Sequence, residues 1–160
     1  MAPELHRFSD TVLLPASIHE VFAFYTDVDN MVRMLNPSLF VKVRRADRPM
    51  KLGARYEFDV GPRNLPVTIR WSSEISAFAA PALFEDRLVD GPFSHWVHRH
   101  ELVERGPAMT EIVDTVEFGA ARGMLARTVN SLFIGKNIEE LFRFRRSVLE
   151  ERFGKAPATA

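Results

Sequence analysis

The sequence predicts an α+β chain in which seven antiparallel strands and two short helices precede a helical C-terminal region. Three observations predict it. Runs of period-two alternation recur between Gly or Pro turns from residue 39 to residue 118. A helix-start signature, Ser17 with Glu20 three positions later, opens an apolar stripe of helical spacing right after the first strand-like run. From residue 125 onward the apolar residues follow helical spacing.

Taken in order, residues 5–14 read as the first strand. Ile18, Val21, Phe22 and Tyr25 form the stripe of the first helix. A second short helix over residues 28–35 must stop near Asn36, because Pro37 disfavours helical geometry in the residue before it. Six strands follow over residues 39–45, 54–60, 67–76, 83–89, 93–103 and 109–118. In the second of these Tyr56, Phe58 and Val60 alternate with charged residues, and in the third Val67, Ile69 and Trp71 alternate with Thr68 and Arg70. Both patterns describe a sheet with one covered face.

At about 100° per residue, Leu125, Val129, Leu132 and Phe133 share one sector of a helix, while Leu141, Phe142, Arg145 and Leu149 fall on roughly the opposite side. The stripe changes phase near Gly135. Asn137 with Glu140 offers a second capping-box-like start, so a break is expected at residues 135–137, with a final helix to about Phe153 ended by Gly154. Arg145 sits near the centre of that helix's apolar stripe and needs an acceptor or a route to water. Glu139, Glu140, Arg143, Arg146, Glu150 and Glu151 read as its solvated face.

Residues 84–100 propose their own register. With Asp90-Gly91-Pro92 as the turn, Phe84 pairs with His100, Asp86 with His98 and Leu88 with Trp96. In the next strand Ile112, Val116 and Phe118 mark the inward side, which includes Asp114. A turn centred near Gly106 pairs His98 with Asp114. Asp86, His98 and Asp114 would then stand in a row, with Arg145 as a compensating cation; these four are the candidate catalytic residues. The row reads either as a satisfied structural network, the first reading for buried polar groups, or as a ligand-orienting, acid–base group.

His98 and His100, two apart on one face, would suit zinc or iron given a carboxylate neighbour. The expected register sets His100 between Phe84 and Ile112, which supplies no third ligand, and no metal is assigned. His95 points to the other face and is expected to be exposed.

The bulk properties bound the function. At 160 residues the chain is read as one domain over 1–154 with a disordered tail at 155–160. Lys plus Arg equals Asp plus Glu at 21 each, so no global field recruits nucleic acid. There is no cysteine, which excludes disulfides and thiol chemistry. No stretch approaches the roughly 18 apolar residues of a membrane span, and the first residues, MAPELHRFSD, lack a signal peptide's apolar run. A cytoplasmic location is expected.

LPASIHEVFAFYTDVDNMVRMLNP, FEDRLVDGPFSHWVHRHEL and TEIVDTVEF, in this order of elements, resemble the START/Bet v 1-like (SRPBCC) superfamily, and in particular a bacterial branch described as polyketide cyclase/dehydrase-like or ligand-binding. The resemblance covers nearly the whole chain. It implies the helix-grip fold, a seven-stranded antiparallel sheet curved around a long C-terminal helix, enclosing an apolar cavity. It further implies a small hydrophobic, partly polar ligand of lipid-, polyketide- or isoprenoid-like character and no cofactor; homodimerisation stays open.

On the inward faces, Tyr56, Phe58, Ile69, Trp71, Phe84 and Trp96 are expected to line that cavity from the sheet, and Leu141 and Phe142 from the helix. Asp86, His98, His100, Asp114 and Arg145 would supply its polar groups. The leading expectation is a binding module; the alternative is a cofactor-independent cyclase, dehydratase or hydrolase using Asp86, His98, Asp114 and Arg145. A third, an interaction module, would need a sizeable exposed apolar patch.

Overall fold

The computed structural model describes residues 4–124 and 126–157, with backbone alone at Ser131 and Leu132. Its elements run β1 (His6–Leu14), α1 (Ile18–Tyr25), α2 (Val28–Arg33), β2 (Leu39–Ala46), β3 (Arg55–Pro62), β4 (Ile69–Ala79), β5 (Leu83–Asp90), β6 (Trp96–Gly106), β7 (Met109–Phe118), α3 (Ala126–Phe133) and α4 (Lys136–Phe153). The strands form one antiparallel sheet in the order β1-β7-β6-β5-β4-β3-β2.

The helix starts are chemically explicit. Ser17 caps α1 by accepting from the Glu20 backbone N–H, and Glu20 returns its carboxylate to the Ser17 N–H. Asp27 caps α2 by accepting from the backbone N–H groups of Asp29 and Asn30. Helix α2 stops at Arg33, with Met34 as its C-cap, slightly ahead of the expected residue 35.

The expected break in the C-terminal helical region is present. Gly135 adopts φ 69°, ψ −133° and separates α3 from α4. L-residues with a Cβ are strained in this conformation. The expected start at Asn137 needs correction: α4 begins at Lys136 with Gly135 in the N-cap position and no side-chain cap. Backbone reversal at glycine therefore makes the break, where a capping side chain was expected. Of the residues that suggested the change of phase, Leu125 and the Leu132 side chain lie outside the described residues; Val129, Phe133, Phe142 and Leu149 are buried. Gly154 ends α4 as expected.

Alternation in β7 is strict, with Thr110, Ile112, Asp114, Val116 and Phe118 all buried. Phe93 lies ahead of β6, in an isolated bridge with Ala121, so the strand starts later than expected. One core cluster joins Leu14, Val21, Ile112 and Leu149; a second gathers Tyr56, Phe58, Ile75 and Phe133; a third joins Val116, Phe118, Ile138 and Phe142. Phe142 packs 4.9 Å from the Phe8 ring, which seats α4 over the sheet.

Two surface expectations are corrected. His95 is half-buried with its Nε2 2.9 Å from Glu117 Oε1, because the two residues flank the β6–β7 pairing on one face. Arg146 donates to Asp10 Oδ1 and the Thr11 carbonyl, tying α4 to β1. Residues 155–157 carry no helix or strand, and 158–160 lie outside the described residues. No helix of the described residues is long and apolar enough to cross a membrane.

Candidate functional site

Sheet, α4 and the residues around α2 line a partly open cavity of about 160 Å³. From the sheet come Tyr56 and Phe58 (β3), Trp71 (β4), Phe84 (β5) and Trp96 (β6); from the helix come Leu141, Phe142 and Arg145. Trp71 and Trp96 meet edge to face with ring centroids 5.2 Å apart, a favoured aromatic geometry. Ile69 is not on this wall: at the start of β4 it is half-buried against the second core cluster. Helix α2 and the segments around it contribute Met31, Met34, Leu35 and Met50. Sequence reasoning missed these, although methionine is the residue that adapts best to an irregular apolar surface.

One wall is polar. The β5–β6 register pairs Phe84 with His100 and Asp86 with His98, as the turn chemistry predicted; regular pairing ends at Arg87 and Val97, so Leu88 and Trp96 are not a registered pair. The β6–β7 register differs from the expected one by two residues. His98 lies opposite Val116, and His100 opposite Asp114. The cause is the turn: Gly106 pairs with Met109 across Pro107-Ala108, and the register slips between Glu104 and Gly106, so the hairpin axis falls beyond Gly106.

Asp114 is the hub. Its Oδ1 accepts from His100 Nδ1 at 2.5 Å and from His98 Nε2 at 3.2 Å, while Oδ2 accepts from the Tyr25 hydroxyl at 3.1 Å. Arg145 Nη1 stands 3.8 Å from Oδ1, and its guanidinium lies 4.7 Å from the Phe142 ring centroid. Asp114 stands behind the imidazoles, off the cavity lining; Asp86, His98, His100 and Arg145 are on it. The expected inward cluster therefore exists, with Tyr25 and His100 as further members. The signal for Tyr25 was a hydroxyl on an otherwise apolar helix stripe, since a buried tyrosine O–H usually has a partner.

The electrostatics follow from burial and neighbours. Burial pushes the Asp114 carboxyl up, but the His100 charge, the two imidazole hydrogen bonds and Arg145 outweigh it and hold the group well below the usual range. His98 is pushed down to about 4 by burial and then by His100. Burial also lowers His100, yet Asp114 prevails and its pKa is raised. Tyr25 is pushed well up by burial and by Asp114. Arg145 Nε and Nη1 are buried and make no hydrogen bond among the described residues.

No protein-family model matches this chain, and no curated protein does. Solved structures do. Zhui aromatase/cyclase from a Streptomyces species superposes with a TM-score of 0.65 at 14% identity, over 93% of this chain and 93% of that one. A norcoclaurine synthase from Thalictrum flavum gives 0.64 at 12% identity, over 95% and 99%. A START superfamily protein from Mycobacterium smegmatis gives 0.63 at 16% identity, over 92% and 99%. The chain has the helix-grip fold of the START/Bet v 1-like superfamily.

Within the helix-grip fold, α4 is the gripped helix, and its two inward polar and aromatic residues, Arg145 and Phe142, meet the cluster on β5, β6 and β7. Phe142 stands 5.7 Å from the His98 ring. Burying Arg145 in an apolar stripe carries a desolvation cost, but its neighbours, Asp114 at 3.8 Å and Asp86 among them, outweigh it and its pKa is raised.

Proposed function

We propose that this chain binds a small, mainly apolar molecule bearing one polar, hydrogen-bond-accepting group. Arg145 is the observation that carries this reading: two buried guanidinium nitrogens without a hydrogen-bond partner among the described residues stand at the polar wall of a mainly apolar cavity. Buried donors without acceptors are rare, and a ligand oxygen would satisfy them. The aromatic rings supply the apolar contact area, and the three methionines around α2 let the wall adapt to ligand shape.

The chain's two tryptophans both line the cavity, so its tryptophan fluorescence reports on the site. Titration with an anilinonaphthalene sulfonate probe is expected to give saturable, one-to-one energy transfer from Trp71 and Trp96, and Leu141→Phe, which narrows the cavity, is expected to weaken it. Native mass spectrometry of protein purified from its source is expected to show a co-purifying apolar molecule. Unsaturable probe binding that is the same in Leu141→Phe, with no co-purified mass, would overturn the reading.

A cofactor-independent cyclase, dehydratase or hydrolase is the second reading. It is favoured by one arrangement: His98 and His100 line the cavity while buried Asp114 fixes their outer nitrogens. Two superposed structures bear the names of a synthase and an aromatase/cyclase. Under this reading His98→Ala abolishes conversion of the co-purified molecule yet leaves the fold intact; an unchanged ligand mass after prolonged incubation with wild-type protein rejects it.

A further inference from the structure

His98 and His100 stand two apart on one face of β6, and β5 sets Asp86 directly opposite His98. All three line the cavity, and one ligand-type atom from each lies within 4.8 Å of the others. His100 Nε2 is 3.7 Å from Asp86 Oδ1. A divalent transition-metal ion bound at about 2.0–2.2 Å needs donor atoms about 3.0–3.5 Å apart. The His100–Asp86 pair is within a few tenths of an ångström of that spacing, and side-chain rotation of the half-buried Asp86 closes the remainder.

Asp114 supplies what such a trio requires behind it. A carboxylate only accepts, so His98 Nε2 and His100 Nδ1 carry protons toward Asp114 Oδ1. This leaves the lone-pair positions on His98 Nδ1 and His100 Nε2, the nitrogens turned away from Asp114. Outer carboxylates fix the tautomer and orientation of metal-binding imidazoles in this way. Tyr25 in turn holds Asp114 from its other oxygen, and the two imidazole rings lie side by side with centroids 3.9 Å apart. The expected register had left His100 without such support; the two-residue difference in the β6–β7 pairing provides it.

We propose that Asp86, His98 and His100 bind one divalent transition-metal ion at the polar wall of the cavity, with Asp114 as the outer carboxylate. Two imidazoles and one carboxylate suit zinc or iron(II) and leave coordination positions open toward the apolar space. Arg145 is a second cation beside the same carboxylates, with Nη1 3.8 Å from Asp114 Oδ1 and Asp86 also acting on it, so its charge opposes that of the ion. The inference shares the cavity with the binding reading and does not depend on it.

Untagged protein, stripped with a chelator and dialysed, is titrated with Co²⁺ and then with Zn²⁺ in competition. The expected result is saturable one-to-one Co²⁺ binding with visible ligand-field absorption, displaced by Zn²⁺. Asp86→Ala is expected to abolish the absorption, Asp114→Asn to weaken binding about 10–100-fold, and Arg145→Met to tighten it. Asp86 is only half-buried, so Asp86→Ala decides the matter even where a histidine variant fails to fold. Absence of stoichiometric binding by the wild-type protein, or wild-type absorption in Asp86→Ala, overturns the proposal. The anilinonaphthalene sulfonate titration repeated in chelator tests the apolar cavity separately.

Discussion

Asp114 and His100 face each other directly across β6 and β7 and are joined Oδ1 to Nδ1 at 2.5 Å. Since Asp114 is 3% exposed and also engages His98 and Tyr25, removing its carboxylate takes from buried Arg145 the carboxylate with which it forms an ion pair. Asp114→Ala is expected to cost about 3–5 kcal/mol of stability, the range for breaking a buried ion pair. Urea unfolding measures it; a loss below about 1 kcal/mol, the scale of an exposed pair, would contradict the assigned role.

Tyr25→Phe isolates one arm of the same hub. The substitution keeps the ring against Phe84 and His100 but removes the donor to Asp114 Oδ2. An acceptor left unsatisfied in the interior costs about 1–3 kcal/mol. Equal urea midpoints for Tyr25→Phe and wild type would show that the hydroxyl is energetically idle.

The histidines make opposite contributions to the pH dependence. His98 faces Asp86, His100, Asp114 and Arg145, and burial with the His100 charge depresses it from 6.5 to about 4. An unfolded chain takes up this proton near pH 6.5 and the folded one only near 4, so the stability involved is full above 6.5 and lost as pH falls from 6.5 toward 4. His100 is raised because Asp114 outweighs burial; its contribution is full below 6.5 and lost as pH rises through the elevated folded value. The pair places maximal unfolding free energy of metal-free protein near the shared reference value of 6.5. Chemical denaturation in chelator across this range is expected to give that maximum, and His98→Gln to flatten its acid side; an unaltered acid limb in His98→Gln would refute the assignment.

Gly135→Ala tests the break between α3 and α4. With φ 69° and ψ −133° at Gly135, a Cβ meets strain in the backbone alone, since no heavy atom lies within 4 Å of its position. The expected loss is about 1–3 kcal/mol. A variant as stable as wild type, with a continuous helix by NMR chemical shifts, would show that the reversal is optional.

Much of this architecture is legible locally. Ser17 and Glu20 announce α1, Asp90-Gly91-Pro92 sets the β5–β6 register, strict alternation places Asp114 inward, and the change of phase marks the helix break. Those features depend on neighbours in sequence or on one turn. The β6–β7 register was misjudged because a single irregularity between Glu104 and Gly106 displaces the hairpin axis, and residue types there do not announce it. Tyr25 and the methionines around α2 join the site only when helices fold onto the sheet, a relationship that no single periodicity encodes. Ile69 has the right alternation and pairs with the cavity-lining Val60, yet at the start of β4 its side chain packs into the second core cluster and stays off the lining.

The sheet order also constrains how the molecule comes together. β1 hydrogen-bonds with β7, the last strand in sequence, and Ser9 bonds the Asp114 carbonyl at a sequence separation of 105. β1 stands at one end of the sheet and its paired edge is met by β7 rather than by a sequence neighbour, so adding it carries the loop-closure entropy of nearly the whole strand region. Such high contact order slows folding relative to helical proteins of the same length. During synthesis β1 waits with an open strand edge until residues 109–118 have left the ribosome, and the Tyr25–Asp114 bond, spanning 89 positions, can form only then.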